Sequence, residues 1–299
     1  MHRKHDTDQQ QGRSRFPAQT HEDAVRFTWQ SATLALERAQ LTLLGALIAL
    51  TVGAWTLTLY YALDMSAPTD VAFLTDGEMA RMAMVGMTAG GWSFAATTTF
   101  VALWTVMMAA MMLPAAAPMI LIFASAQARR VGEAAVPTWI FIAGYLLVWL
   151  AAGILVYAVV QIGSDIATQL GFVERALWAP FALGSTLVVA GLYQFTPIKR
   201  ICLTRCRSPF AFVTCYWRDG RFGALRMGLR HGVYCLGCCW ALFAVLVAAG
   251  VMSIAWMLLL TVVVFVEKLL PYGQYAASLV GLALVVLGLG VGSGAVQMP

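Results

Sequence analysis

Residues 231–250 read HGVYCLGCCWALFAVLVAAG, and this apolar run decides the class of the protein. It is close to the roughly 20 residues that a helix needs to cross a bilayer. Its first ten residues carry His231, Cys235, Cys238 and Cys239. At about 100° per residue of an α-helix, these four side chains fall within an arc of roughly 100°. The run therefore predicts a membrane helix with one imidazole and three thiols on one face.

These residue types point to a metal. Imidazole and thiolate are preferred ligands of Cu(I) and Zn(II), so the face predicts a metal site, but these ten residues do not fix the metal, and both copper and zinc are possible. Free cysteine is also a small hydrophobic residue that is often simply buried. Packing therefore remains the competing interpretation of the three cysteines.

The rest of the chain fits a membrane protein. Of its 299 residues 61% are hydrophobic and 11% are charged, which is too apolar for a soluble protein of this length. Seven apolar runs have about the length of a spanning helix: 39–61, 95–123, 137–161, 176–196, 231–250, 252–270 and 274–296. We predict an all-α, polytopic bundle of about seven transmembrane helices in the bilayer of the bacterial inner membrane.

The distribution of basic residues predicts the orientation of the chain across the membrane. With the amino terminus in the cytoplasm, all of the 19 lysines and arginines except Arg81 and Arg175 lie on the inner side, as the positive-inside rule requires. Residues 1–38 are polar and predict a disordered cytoplasmic tail, and 39–296 form a single transmembrane domain with a basic cytoplasmic loop at 197–230. This charge fits anionic lipid headgroups, and no nucleic-acid-binding module is present.

Three further cysteines, Cys202, Cys206 and Cys215, lie in the basic loop. In this orientation all six cysteines are on or near the cytoplasmic side, where thiols stay reduced. We therefore expect metal or redox use of these thiols rather than structural disulfides, and we add Cys202 and Cys206 to the candidate ligands.

The second run holds a methionine cluster in the sequence WTVMMAAMMLPAAAPM, residues 104–119. On a helix Met107, Met108, Met111 and Met112 cover one side. Thioethers are soft ligands that suit Cu(I), although methionine is also a common filler of irregular cores. Because the second and fifth spans run in opposite directions, Met108 to Met112 are predicted at the depth of Cys238 and Cys239. The two groups would then close one soft site, shielded by Trp104 and Trp240.

Glu267, in the sequence VVVFVEKLLPYG, is an ionisable residue inside the sixth apolar run. Such residues are costly in lipid and usually face a partner or a pathway. Glu267 is a candidate metal ligand, a proton acceptor or a partner of His231, which with Cys235 would form the cytosolic mouth of the site. The alternative is an interfacial carboxylate paired with Lys268 or with a loop arginine.

Several long strings resemble those of a known family. They are the W..MM.AMM.P...P pattern at 104–118, YQFTPIKRICLTRCRSP at 193–209, WRDGRFGALRMGLRHGVYCLGCCW at 217–240 and the WM...EKLLP ending at 256–271. Over about 95–272 the chain resembles a widespread bacterial family of predicted metal-binding integral membrane proteins. The resemblance implies metal binding by these same residues and brings no reaction with it.

Three classes of function fit these observations. The favoured one is copper handling, in which the protein binds copper or delivers it to a partner metalloprotein. A membrane oxidoreductase that uses a metal or the adjacent thiols is the second, and a structural or assembly subunit is the third. No Walker loop and no CxxCH haem-attachment sequence occurs, which argues against an ATP-driven pump and a c-type cytochrome.

Overall fold

A computed structural model describes residues 40–61, 92–131, 135–170, 172–249 and 254–295 of the chain. Nine helices make up the regular structure of these residues: α1 Gln40–Tyr61, α2 Phe94–Val131, α3 Ala135–Gln169, α4 Phe172–Gln194, α5 Pro197–Arg207, α6 Pro209–Tyr216, α7 Gly220–Ala249, α8 Ile254–Leu269 and α9 Gly273–Gly292. The predicted all-α class is confirmed. The chain divides into two compact units, Met1–Leu43 and Leu44–Pro299, and the features that follow lie in the second.

Five of the described helices are long and apolar enough to cross a membrane, namely α1, α2, α3, α7 and α9. A sixth candidate is formed if α4 and α5, which meet at a bend of 64°, count as one broken span. Each of the seven predicted runs overlaps one helix, but α8 has only 16 residues. The count of seven and the cytoplasmic amino terminus stay predictions. The tail at 1–38 and the turn at 250–253 lie outside the described residues.

The basic segment at 197–230 is largely helical, since it contains α5, α6 and the first turns of α7. Proline stands at the first position of α5 and of α6, where its fixed φ and missing N–H suit the start of a helix. Thr196 caps α5, and its side chain accepts a hydrogen bond from the Lys199 N–H. These short helices place Lys199, Cys202 and Cys206 beside the longer ones.

Glycines set the close approach of α3 and α7. A Cβ on Gly144 would lie 2.6 Å from the Leu225 carbonyl oxygen, and one on Gly228 would lie 2.1 Å from the Phe141 carbonyl oxygen. Both distances are far inside van der Waals contact, so the two backbones touch where these glycines meet. Tyr145, next to Gly144, is thereby brought against the cysteine face of α7.

Candidate metal centre

The four candidate residues of α7 share its buried face. His231, Cys235, Cys238 and Cys239 are each at most 3% exposed. The thiols of Cys238 and Cys239 donate hydrogen bonds to the Cys235 carbonyl oxygen, at 3.0 and 2.8 Å. The helical spacing thus gathers three sulfurs around one turn of α7, inside the protein.

Cys235 is the centre of this group. Its sulfur lies 2.9 Å from the Lys268 Nζ and 3.1 Å from the Tyr145 hydroxyl. Tyr145 is fully buried and Lys268 is 8% exposed. One cysteine sulfur of α7 therefore contacts a phenol from α3 and an ammonium from α8.

The cysteines of α5 extend the group. Cys206 lies near Cys235 and Cys238, and its thiol interacts electrostatically with theirs. Cys202 packs at Gly237, where an added Cβ would lie 2.8 Å from the Cys202 sulfur. We call Cys206, Cys235, Cys238 and Cys239 the thiol cluster, and Cys202 borders it. Cys215 is exposed on α6, and all six cysteines of the chain are free thiols.

The methionine cluster of α2 is entirely internal. Met107 is 2% exposed, and Met108, Met111 and Met112 are fully buried. Met112 is linked to the thiol cluster through Lys268, because its sulfur lies 3.7 Å from the Lys268 Nζ that also contacts Cys235. The two groups of sulfur residues thus meet at one lysine side chain.

The two tryptophans that were predicted to shield the site differ in burial. Trp104 is 3% exposed, and its indole N–H donates to the Trp149 carbonyl oxygen at 3.2 Å. Trp240 is 43% exposed and packs edge-on against Tyr193, with 5.0 Å between the ring centroids. Tyr193 in turn donates to the Gly237 carbonyl oxygen at 2.6 Å. Trp240 therefore lies on the outer side of α7 and joins it to α4.

Glu267 is buried and paired. Its Oε2 lies 2.8 Å from the Lys199 Nζ, and Lys199 also donates to the Gln194 side-chain oxygen. The other carboxylate oxygen, Oε1, has no hydrogen-bond partner among the described residues. Glu267 therefore faces α5, whereas Lys268, the next residue, faces the sulfur atoms.

Lys268 is a buried basic residue that forms no salt bridge within the described residues. Lys199 and Glu267 neutralise each other, and theirs is the one salt bridge within the described ranges. Lys268 then keeps a positive charge, and the closest of its recorded polar neighbours is the Cys235 sulfur. An unbalanced buried charge is costly, so this contact stabilises Cys235 as a thiolate.

His231 lies in an aromatic box. Its ring stacks on Phe141 and Tyr145, with centroids 6.0 and 5.6 Å apart, and meets Phe212 edge-on at 5.6 Å. Its Nδ1 has no hydrogen-bond partner in the described part of the chain. The imidazole is thus buried one helical turn from Cys235 with a nitrogen still open to a ligand.

A family model described as PpoB2, copper chaperone, matches residues 101–291. The chain belongs to this copper chaperone family. The matched segment contains every candidate ligand and runs beyond the 95–272 stretch on which the sequence resemblance rested. None of the curated proteins and none of the solved structures matches the chain.

Copper is the cargo of a copper chaperone, and the donor atoms here suit it, because thiolates and thioethers select Cu(I). Across the described ranges no group of three or more His, Cys, Asp or Glu side chains is arranged to hold a metal ion. The reason is visible in the contacts: the sulfurs of Cys238 and Cys239 point at a backbone carbonyl, and that of Cys235 points at Lys268. A metal ion held by these sulfurs would require the thiol side chains to turn.

Sequence reasoning missed two residues of the centre. Lys268 was considered only as a partner of Glu267, and Tyr145 was not singled out. A lysine inside an apolar run, as in VFVEKLLP, is a signal that could have identified Lys268. Tyr145 carries no such signal, because a tyrosine in a membrane helix is common and its partner lies 90 residues away in the chain.

Proposed function

We propose that this protein binds Cu(I) at the thiol cluster, with Met112 as a further ligand, and delivers the ion to a partner metalloprotein. The observation that supports it best is the position of Lys268 between the sulfurs of Cys235 and Met112. That contact brings thiolate and thioether chemistry together in a buried, water-poor place. Both ligand types favour Cu(I), whereas thioethers contribute little to zinc binding.

The charges of Lys268 and the thiolates determine how the centre would take up Cu(I). Cys235 is the thiolate, and a second thiol of the cluster loses its proton when the ion binds, since a thiolate is the form that ligates metal. The ion, the two thiolates and Lys268 then have no net charge. A neutral loaded centre avoids the large cost of an unbalanced charge in an apolar environment.

Delivery would use the α5 side of the cluster. Cys202 and Cys206 are partly exposed, one turn apart on α5, while the three cysteines of α7 are buried. An acceptor that reaches Cys206 would exchange ligands with the buried sulfurs. We propose that the same route serves for uptake, with the centre facing the cytoplasm from the bacterial inner membrane.

The decisive experiment compares matched cysteine variants. The detergent-purified protein is loaded with Cu(I) anaerobically under reducing conditions, and the copper that survives desalting is measured by elemental analysis. We expect Cys235→Ser and Cys238→Ser to lose most of the copper and Cys215→Ser, which changes an exposed thiol outside the cluster, to keep it. Unchanged copper in a Cys235→Ser/Cys238→Ser protein would favour a structural role for the sulfur residues.

A count of reactive thiols distinguishes copper binding from the alternative function as a membrane oxidoreductase. Cys238 and Cys239 are adjacent and cannot form an unstrained disulfide with each other. The free thiols of the structure agree with a metal-binding role. We expect six reactive thiols in the denatured protein after native purification, whereas a stable native disulfide would favour the oxidoreductase.

A further inference from the structure

Lys268 places a fixed positive charge inside the proposed copper centre. Its Nζ lies 2.9 Å from the Cys235 sulfur and 3.7 Å from the Met112 sulfur, in a side chain that is 8% exposed. The neighbouring carboxylate, Glu267, forms its salt bridge with Lys199. A cation that binds to these sulfurs must therefore lie close to the Lys268 ammonium group. The negative charge of Glu267 offsets the positive charge of Lys268 only in part.

We infer that Lys268 makes the centre selective for a monovalent ion over divalent ions. This inference rests on the proposed function and adds the basis of its metal specificity. The ammonium repels a bound ion in proportion to the charge of that ion. Zn(II), with one charge more than Cu(I), is disfavoured relative to Cu(I) on the order of a hundredfold, for an effective dielectric constant of about 20 and a separation of about 5 Å.

The ratio of the Cu(I) affinity to the Zn(II) affinity isolates the electrostatic repulsion between Lys268 and the bound ion. Lys268 also stabilises the Cys235 thiolate, and that contribution strengthens the binding of either ion. It cancels in the Cu(I) to Zn(II) ratio when both ions use the same thiolates. Removing the charge should therefore change the selectivity by the Coulomb repulsion alone, whatever happens to each affinity.

The test uses the full-length, detergent-purified protein and the variants Lys268→Met and Lys268→Arg. Competition with chelators gives the Cu(I) and Zn(II) affinities. We expect Lys268→Met to raise the affinity for Zn(II) relative to Cu(I) on the order of a hundredfold. Lys268→Arg keeps the charge and should keep the wild-type ratio.

If Lys268→Met is not monodisperse, Lys268→Gln carries the same expectation, because it removes the charge and can still donate a hydrogen bond to Cys235. A wild type that binds Cu(I) through its cysteines, with an unchanged affinity ratio in the neutral variants, overturns this inference alone. A wild type that binds no Cu(I) through its cysteines overturns the proposed function, and the inference with it.

Discussion

Lys199 and Glu267 lie 68 residues apart in the chain and form a buried ion pair, with 2.8 Å between Nζ and Oε2. The pair joins α5 to the end of α8. Arg207 adds a second link between the same segments, because it donates to the Pro271 carbonyl oxygen at 2.8 Å. The helix that supplies Cys206 is thereby fixed to the one that supplies Lys268, so the ion pair positions both.

Breaking this pair should be costly. Lys199→Met leaves the Glu267 carboxylate buried without its counterion, and such a loss typically lowers the free energy of unfolding by about 3–5 kcal/mol. Thermal unfolding in detergent measures the effect as a lower melting temperature. The Lys199→Met/Glu267→Met protein should recover most of the loss, because neither charge is then buried alone.

Arg200→Gln is the control for this series, since Arg200 is the exposed neighbour of Lys199. We expect it to melt within experimental error of the wild type. A Lys199→Met protein as stable as Arg200→Gln would show that the ion pair does not hold α5 in place.

The sequence predicted the helices well because the length of an apolar run is a strong signal in membrane proteins. It predicted the buried face of α7 for a related reason, since the 3.6-residue period fixes which side chains lie together within one helix. In the 197–230 segment the apolar residues are mixed with arginines, and the short helices α5 and α6 were not anticipated. α5, with the sequence PIKRICLTRCR, carries four basic residues and so resembles a loop. α6, with the sequence PFAFVTCY, is apolar but far shorter than a spanning helix.

Contacts between helices could not be predicted from the sequence. Lys268 meets Cys235 across 33 residues and Met112 across 156, and these pairings depend on how α2, α7 and α8 pack. Glu267 was expected to bind a metal, to accept a proton or to contact His231, with Lys268 or an arginine of the basic segment as the alternative partner. The structure pairs it with Lys199 of that segment, because α5 brings this residue to the end of α8.

The contact between α3 and α7 gives a second prediction. Gly228→Ala would place a Cβ 2.1 Å from the Phe141 carbonyl oxygen, which is a backbone atom that cannot move aside cheaply. The two helices must separate, and we expect a loss of stability of about 1–3 kcal/mol, as in other overpacked cores. Thermal unfolding in detergent measures this loss, and copper retention should fall as Tyr145 withdraws from Cys235.

Gly53→Ala on α1 is the matched control, because an added Cβ there meets nothing within 4 Å. Alanine favours a helix over glycine by about 1 kcal/mol, so this variant should be as stable as the wild type or slightly more so. Equal behaviour of the two variants would contradict close packing of α3 on α7.

The third prediction concerns orientation. Eight lysines and arginines lie within 197–230, and the positive-inside rule places them in the cytoplasm. Reporter fusions after Arg218, which is exposed between α6 and α7, should give a cytoplasmic signal, and fusions within 64–91 should give a periplasmic one. A periplasmic signal from the Arg218 fusion would place the 197–230 segment outside the reducing cytoplasm. The expectation that its thiols stay reduced would then lose its basis.

The last prediction tests whether the methionines bind copper. Met112 is the methionine that contacts Lys268, so Met112→Leu should weaken Cu(I) binding more than changes elsewhere in the cluster. Leucine keeps the volume and apolarity of methionine, and the cost in stability should stay below about 1.5 kcal/mol. A thioether contribution of about 1.4 kcal/mol would appear as an affinity about tenfold weaker, measured by competition with a Cu(I) chelator.

Two comparisons make this result specific to Met112. Met257→Leu changes another fully buried methionine, on α8 and three turns from Lys268, and should leave the affinity unchanged. Met108→Leu/Met111→Leu changes the deeper members of the cluster, and a loss of copper there would show that the ion moves further along α2. Wild-type affinity in Met112→Leu and in the double variant would mean that the methionines only pack, because an ion held by thioethers cannot lose them without a measurable change.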